Sequence, residues 1–481
     1  MPANTGAPLG AHKNLETELV VLGAGPGGYT AAFRAADLGK RVVLVDSAGP
    51  LGGVCLNHGC IPSKTLLHTA KVIREAGALD GVHFDKPRLD IDAIRAGKDR
   101  VIARMTRGLS ALARQRGVTV VQGYGRFTSV NSLEVAGPDS SSTIVFANAI
   151  IACGSSPVRI PGVPEDPRVM DSTSALELPQ IPRRLLIVGG GIIGLEMAQI
   201  YDALGARITI VERMEQLLPG ADADLVLPLA KRLAARYERI CLGTQMHFVS
   251  AGADGLRVRL EGKAGATEET YDRILIAVGR RPNGGNIGAE AAGVQVDARG
   301  FIAVDAQMRT NVSHIFAIGD VVGEPMLAHK ATHEARVAAG VICGQDMHFD
   351  ARTIPSVAYT DPEIAWMGLT EIEAARRSIA YEKFTLPWQA SGRAVSSGSA
   401  DGLTKLLIDP VSRRILGAGI VGASAGDLIA EAVLALEMDA DPGDLALAIH
   451  PHPTYSETLA MAAELAEGTI TDMLPPKRTR G

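Results

Sequence analysis

An α/β fold in which two βαβ units are followed by an α+β domain is what the sequence of 481 residues predicts, and three observations carry it. The first is an apolar run, Leu19-Val20-Val21-Leu22, that enters Gly23-Ala24-Gly25-Pro26-Gly27-Gly28. A helical stretch from Tyr29 to Leu38 follows, and a second apolar run, Val42-Val43-Leu44-Val45, ends at Asp46. The second observation is the same order repeated: Leu185-Leu186-Ile187-Val188, Gly189-Gly190-Gly191-Ile192-Ile193-Gly194, a helix from Leu195 to Leu204, then Ile208-Thr209-Ile210-Val211 and Glu212. In each copy the acidic residue stands 23 positions after the first glycine. The third is a change of texture at Thr353, beyond which short strands near Val357–Tyr359, Glu363–Met367, Lys405–Ile408 and Leu416–Val421 interleave with helices near Glu371–Arg376 and Asp427–Met438. That pattern predicts an antiparallel sheet with helices.

Each glycine loop has the setting a dinucleotide needs. The first glycine allows the tight turn, the second lets backbone approach a pyrophosphate, and the third lets helix pack on strand. The helix N-terminus then faces the phosphates. On this pattern Gly23, Gly25, Gly28 and Asp46 form one candidate cofactor site, and Gly189, Gly191, Gly194 and Glu212 a second. Two dinucleotides in one chain imply hydride or electron transfer between cofactors. Glu212 favours NAD, because a carboxylate repels a 2′-phosphate. Arg207 and Arg213 lie close enough in sequence to keep NADP open. Between the two units, 66–115 reads as mostly helical, and Val118–Val121 and Ile144–Ile151 read as strands. Both units close alike, on strand, Gly and Pro: Ile150 to Pro157, then Ile274 to Asn283 with Gly279 at the turn. Thr310 to Asp320 is a strand ending in Gly-Asp, where a carboxylate can meet a polyol hydroxyl or merely form a turn.

Composition excludes several classes. A hydrophobic share of 46% and a charged share of 21% are those of a globular protein. The net charge of −5 offers no basic field for nucleic acid or anionic membrane. No apolar run is long enough to span a bilayer, and residues 1–13 lack a signal-peptide or transit pattern, so the cytoplasm is expected. Residues 1–15 read as a flexible lead-in, and Lys477-Arg478-Thr479-Arg480 as a solvated tail. The five cysteines are Cys55, Cys60, Cys153, Cys241 and Cys343, too few and too scattered for a secreted disulfide framework. No metal site is expected, because zinc would need a second Cys pair.

The segment Cys55-Leu56-Asn57-His58-Gly59-Cys60 carries chemistry. Cα atoms five positions apart in a regular helix lie roughly 8.7 Å from each other, whereas a disulfide needs about 7 Å or less. If these cysteines bond, the segment is not regular helix, and Asn57 and Gly59 are the residues that tolerate the irregularity. Pro62 suits the first turn of a helix toward Arg74. Cys60 at that helix start would be favoured as thiolate. Two buried structural cysteines would satisfy the same spacing. Near the C-terminus, His450-Pro451-His452-Pro453-Thr454-Tyr455-Ser456-Glu457 has extended steps before each proline. His452 and Glu457 can act as a base and the group that orients it, or sit in an inert surface turn.

Taken together, Gly52 to Lys64, the two glycine loops, Thr310 to Asp320, Pro325-Met326-Leu327-Ala328-His329-Lys330 and His450 to Glu457 resemble the flavin disulfide reductases, and among them the dihydrolipoyl dehydrogenases. The resemblance covers nearly the whole chain from about Glu18. It implies FAD on the first loop, NAD on the second, and a homodimer whose active sites are each completed by the partner's His452 and Glu457. It implies four segments: 1–156 binding FAD and carrying the redox disulfide, 157–283 binding NAD, 284–352 as a central domain completing the FAD site, and 353–481 as the interface domain. It further implies that His452, oriented by Glu457, deprotonates a dihydrolipoyl thiol, that Cys55 exchanges with it, and that Cys60 faces the flavin. Lys64 and Glu196 pair near the flavin's reactive nitrogen, Asp320 binds its polyol chain, and Ala328 and His329 border its ring. The lipoyl group comes from an acyltransferase component of a multienzyme complex. A related flavin disulfide reductase, or a flavoprotein scaffold without turnover, is the competing expectation.

Overall fold

The structure is a computed structural model, and it describes residues 13–474 apart from 48, 80, 86, 138–140 and 264. The lead-in expected over 1–12 and the basic stretch Lys477 to Arg480 lie outside the described residues. The chain divides into two compact units, Met1–Thr65, Asp90–Val158 and Gly279–Asp350 in one, Leu66–Leu89, Arg159–Val278 and Ala351–Gly481 in the other.

The first unit is built on a parallel sheet. Its central strand β1 (Lys13–Leu22) pairs with β2 (Val42–Asp46) on one side and with the strand Ser141–Ile151 on the other. The expectation that residues up to 15 are lead-in fails at its end: Lys13 to Leu15 pair in register with Ser142 to Ile144. Helix α1 (Pro26–Asp37) crosses from β1 to β2 and starts three residues earlier than the sequence suggested, because Pro26 needs no hydrogen-bond partner for its nitrogen at a first helical position. The strand Ile315–Ala317 adds to the far edge, beside Ala149 to Ile151. Two further strands, Tyr124–Ser129 and Ser132–Ala136, form an antiparallel wing on this sheet. Leu19, Val21, Leu44 and Ile150 point to one face, against α1 and the helix Ala328–Ile342, while Val20, Val43, Val45 and Ala149 fill the other. Buried on both faces, the strands read as continuous apolar runs rather than alternating ones.

The second unit repeats the plan and then changes it. The strands Arg184–Val188, Arg207–Val211 and Arg273–Ile276 are parallel, with the helix Ile192–Ala203 between the first two. Past 351 the strands Ser356–Ala358, Glu363–Gly368, Ile415–Gly422, Leu403–Ile408 and Glu382–Pro387 make an antiparallel sheet in that spatial order. The helices Ala425–Glu437 and Glu457–Glu467 pack on it around Trp388, Leu406, Ile420, Ile429 and Leu459. The region 66–115 is mostly helical as expected, in two helices, α3 (Cys60–Ala76) and Ile91–Gln115.

Candidate active site

The redox segment is two helices that meet at a break. The short helix α2 (Gly53–His58) carries Cys55, Gly59 leaves helical geometry with φ −141° and ψ −107°, and Cys60 opens α3. Asn57 stays helical and buried, so Gly59 alone supplies the irregular backbone expected at both. The break folds the two thiols together, Sγ to Sγ 2.7 Å. The hydrogen bond to Cys60, then burial and then the charge on Cys60 push the Cys55 thiol well above its usual range. Cys60 opens a 17-residue helix, whose N-terminal partial charge favours a thiolate.

The same segment is pressed onto the first glycine loop. Gly53 has φ +57°, and a Cβ there would lie 2.6 Å from Gly25 Cα. A Cβ at Gly23 would meet Ala152 O at 2.2 Å and one at Gly28 would meet Gly23 O at 1.8 Å, whereas Gly25 faces open space. Two glycines are there for packing and one to leave room, which is the division of labour a pyrophosphate cradle needs. Asp46 ends β2, buried. Asn57 Oδ1 is buried without a hydrogen-bond partner among the described residues, an acceptor left for a ligand's donor. Lys64 lies one turn after Cys60 on α3.

Asp320 stands in a short 3₁₀ turn after the strand Ile315–Ala317. Its carboxylate accepts from the Ser155 hydroxyl at 2.5 Å. Arg280 in turn donates to Ser155 Oγ at 2.7 Å and to Ser155 O at 2.6 Å. From the other side Gly319 N–H donates to Glu334 Oε2 at 2.7 Å, and Glu334 Oε1 pairs with Lys330 at 2.8 Å. Burial raises the Glu334 carboxyl above its ordinary value even with Lys330 and the Gly319 N–H opposing. Ala328 and His329 open the helix that carries Lys330 and Glu334.

The second loop follows the first in detail. A Cβ at Gly189 would lie 2.3 Å from Ala277 O and one at Gly194 2.0 Å from Gly189 O, while Gly191 faces open space. Glu212 accepts from Gly190 N–H and from Met214 N–H, both at 2.7 Å, so its carboxylate is fixed over the loop. Arg207 turns to Glu238 instead, at 4.0 Å. Glu196 is buried on the helix Ile192–Ala203 and accepts from Tyr359 N–H at 3.1 Å. Gly279, at the close of the second unit in sequence, has φ +125° and falls in the first unit, facing open space.

His452 and Glu457 do meet: Nδ1 lies 2.8 Å from Oε1. Glu457 begins the helix Glu457–Glu467, and its other oxygen accepts Thr454 N–H at 2.7 Å. Burial would raise the Glu457 carboxyl, but the Thr454 N–H and the His452 ring outweigh it and hold it below its ordinary value. A carboxylate at Nδ1 selects the tautomer with its lone pair on Nε2, and the His452 side chain is 78% exposed. The imidazole therefore presents a base to whatever approaches. His450 makes a parallel pair, Nε2 to Glu431 Oε1 at 2.7 Å.

Residues 17–335 match the model of the pyridine nucleotide-disulphide oxidoreductase family, and residues 354–463 match its dimerisation domain. A dihydrolipoyl dehydrogenase of Vibrio cholerae is 54% identical, with 96% of this chain and 98% of that protein aligned. One of Haemophilus influenzae is 52% identical, covering 96% and 97%. The chain belongs to the dihydrolipoyl dehydrogenases. Among solved structures, LpdA of Mycobacterium tuberculosis superposes with a TM-score of 0.85 at 27% identity, covering 93% of this chain and 99% of that one. The flavoprotein disulfide reductase RclA of Escherichia coli superposes at 0.83 and 28%, covering 94% and 99%.

Like its relatives, this dehydrogenase is an NAD-dependent flavin disulfide oxidoreductase that uses FAD and oxidises dihydrolipoyl groups. The two cradles and the buried Asn57 acceptor fit bound dinucleotides. The dimerisation-domain match supports a homodimer. Among the described residues no helix is long and apolar enough to cross a membrane. Sequence reasoning missed Gly53, Ser155, Arg280, Lys330 and Glu334. The Lys330–Glu334 spacing of four on a helix was readable, but such pairs are mostly solvated, and nothing local marked this one as buried.

Proposed function

We propose that Cys55 and Cys60 with His452 and Glu457 form the dithiol-oxidising centre of this dehydrogenase, the histidine and glutamate coming from the partner subunit. The observation that carries the reading is the thiol pair closed to 2.7 Å across a helix break. His452 Nε2 takes the proton of one dihydrolipoyl thiol, and Glu457 stabilises the imidazolium that forms. The substrate thiolate attacks Cys55 Sγ, the Cys55–Cys60 bond breaks, and its electron pair stays on Cys60 at the α3 N-terminus. The second substrate thiol attacks the sulfur bonded to Cys55 and closes the lipoyl disulfide, and its proton passes to His452 as the imidazolium gives its own to departing Cys55. Two electrons now sit on the cysteine pair. FAD, when bound, supplies the two-electron relay from that pair to NAD⁺.

Gly23, Gly25, Gly28, Asp46 and Asp320 would hold the flavin dinucleotide, with Lys64, Glu196, Ala328 and His329 about its ring. Gly189, Gly191, Gly194, Glu212 and Gly279 would hold NAD. The segments 1–156, 157–283, 284–352 and 353–481 divide the work as FAD, NAD, central and interface domains. The dihydrolipoyl group is carried by the acyltransferase component of a cytoplasmic multienzyme complex, a reading supported by relatives named dihydrolipoyl dehydrogenase at 52–54% identity. The test is to reduce the holoenzyme with dihydrolipoamide and record its spectrum. A long-wavelength thiolate–flavin absorption that vanishes in Cys60→Ser is expected; its persistence in that variant would overturn the assignment of Cys60.

A further inference from the structure

We infer that Trp388, Thr404, Tyr455 and Thr458 are positioning residues for the His452–Glu457 pair, acting through a buried, one-directional hydrogen-bond chain that ends on the turn between them. The inference rests on the reading of His452 as the dithiol base.

Among the described residues the exposed His452 imidazole is bonded by Glu457 alone, so the base is no better placed than the turn from Thr454 to Thr458. That turn is anchored from beneath. Trp388 Nε1 donates to Thr404 Oγ1 at 3.0 Å, Thr404 Oγ1 donates to Thr458 Oγ1 at 2.9 Å, and Thr458 Oγ1 donates to Tyr455 O at 2.7 Å. Trp388, Thr404 and Thr458 are each no more than 1% exposed. An indole N–H can only donate. Each hydroxyl therefore receives one bond and gives one, and the direction of the whole chain is set by Trp388. A hydroxyl without that input could turn round and leave the Tyr455 carbonyl with only the Thr458 N–H at 3.1 Å.

The Tyr455 side chain is gripped as well. Its ring stacks on Trp388, centroids 5.2 Å apart and planes 20° from parallel. Its hydroxyl lies 2.6 Å from Ser397 Oγ and 2.8 Å from Ser399 Oγ. The indole has a seat made for it: a Cβ at Gly422 would come within 2.2 Å of the ring and one at Gly402 within 2.8 Å. Tyr455 falls between the base and its orienting carboxylate in the chain, and Thr458 adjoins that carboxylate in the first helical turn. Both ends of the turn are thus referred to one rigid ring, in the 3₁₀ turn that follows the strand Glu382–Pro387.

The test compares Thr458→Val, Thr458→Ser and His452→Gln holoenzymes in two assays, dihydrolipoamide with NAD⁺, and NADH with ferricyanide, which bypasses the dithiol step. Thr458→Val is expected to lose roughly ten- to a hundredfold in kcat for dihydrolipoamide, with KM and the ferricyanide rate held, and Thr458→Ser to restore it. Should Thr458→Val not fold, Thr404→Val, which keeps the side-chain shape and removes only the hydroxyl of the chain's middle link, is read by the same criteria. A wild-type kcat in these variants, or an equal loss in both assays, overturns the positioning role. Full dihydrolipoamide turnover by His452→Gln would instead remove the base itself, and the inference with it, whatever the Thr458 variants show.

Discussion

The two glycine loops can be broken one at a time. Placing a methyl group at Gly194 puts a carbon 2.0 Å from Gly189 O, and at Gly28 the distance to Gly23 O is 1.8 Å. A real Cβ stays beyond 3.0 Å of such an atom, so the helix start and the loop must separate by at least about 1 Å in either variant. Backbone sits on both sides of the clash, and no flexible side chain can absorb it. Overpacking of this kind costs about 1–3 kcal/mol. If the loop opens to relieve it and the ligand must close it again, binding weakens by roughly 5- to 150-fold. Gly194→Ala should therefore raise the Kd for NAD⁺ in that range, read by titration of the purified protein. Flavin content and the rate of flavin reduction by dihydrolipoamide, which needs no nicotinamide, should stay at wild-type values. Gly28→Ala should do the reverse and release flavin on dilution or dialysis. A Gly194→Ala protein that binds NAD⁺ normally, or loses flavin, would refute the assignment of one cradle to each dinucleotide.

Three further outcomes follow from the geometry. Glu457→Gln keeps the shape of the pair but loses the charge that stabilises imidazolium, so dihydrolipoamide turnover should fall by on the order of 10²-fold at unchanged NADH–ferricyanide activity; equal losses in steady-state assays of both would contradict it. Glu334→Gln leaves the Lys330 ammonium, 6% exposed, without its carboxylate. Breaking such a pair costs about 3–5 kcal/mol, and a thermal melt with flavin release monitored together should show it; an unchanged Tm would argue against a structural pair. Burial raises the Glu371 carboxyl, but Lys405 and Lys383 outweigh it and hold it at about 2, against 4.5 when free. A carboxylate depressed in this way stabilises fully above 4.5 and loses its contribution as pH falls toward 2. The Lys405 ammonium also meets Asp222 at 2.8 Å and Asp224 at 2.6 Å. Lys405→Met should thus lower Tm strongly at pH 7, with the gap to wild type closing below about pH 4.5; a gap constant down to pH 2.5 would rule this out.

Much of the architecture was legible because the patterns involved are local. A strand buried on both faces is a run of Val, Leu and Ile, and a close turn under a phosphate demands glycine, so both βαβ units could be read off Leu19 to Asp46 and Leu185 to Glu212. Cys55 and Cys60 declared themselves by spacing, and the residue that bends the chain between them was one of two named. The antiparallel wing at Tyr124 to Ala136 and the strand Glu382–Pro387 were not legible, because short half-exposed strands carry little periodicity.

What the sequence by itself supplied is the set of candidate groups on which the proposed function draws: two cysteines, a histidine and a carboxylate, and two glycine loops with an acidic residue after each. Only the tertiary structure decided which groups hold them in place. Trp388 and Thr458, joined through Thr404, are 70 residues apart, Ser155 and Arg280 are 125 apart, and Lys405 and Asp222 are 183 apart. Such contacts leave no local signature, since a donor and an acceptor far apart in the chain can be matched only once the sheets have brought their strands side by side.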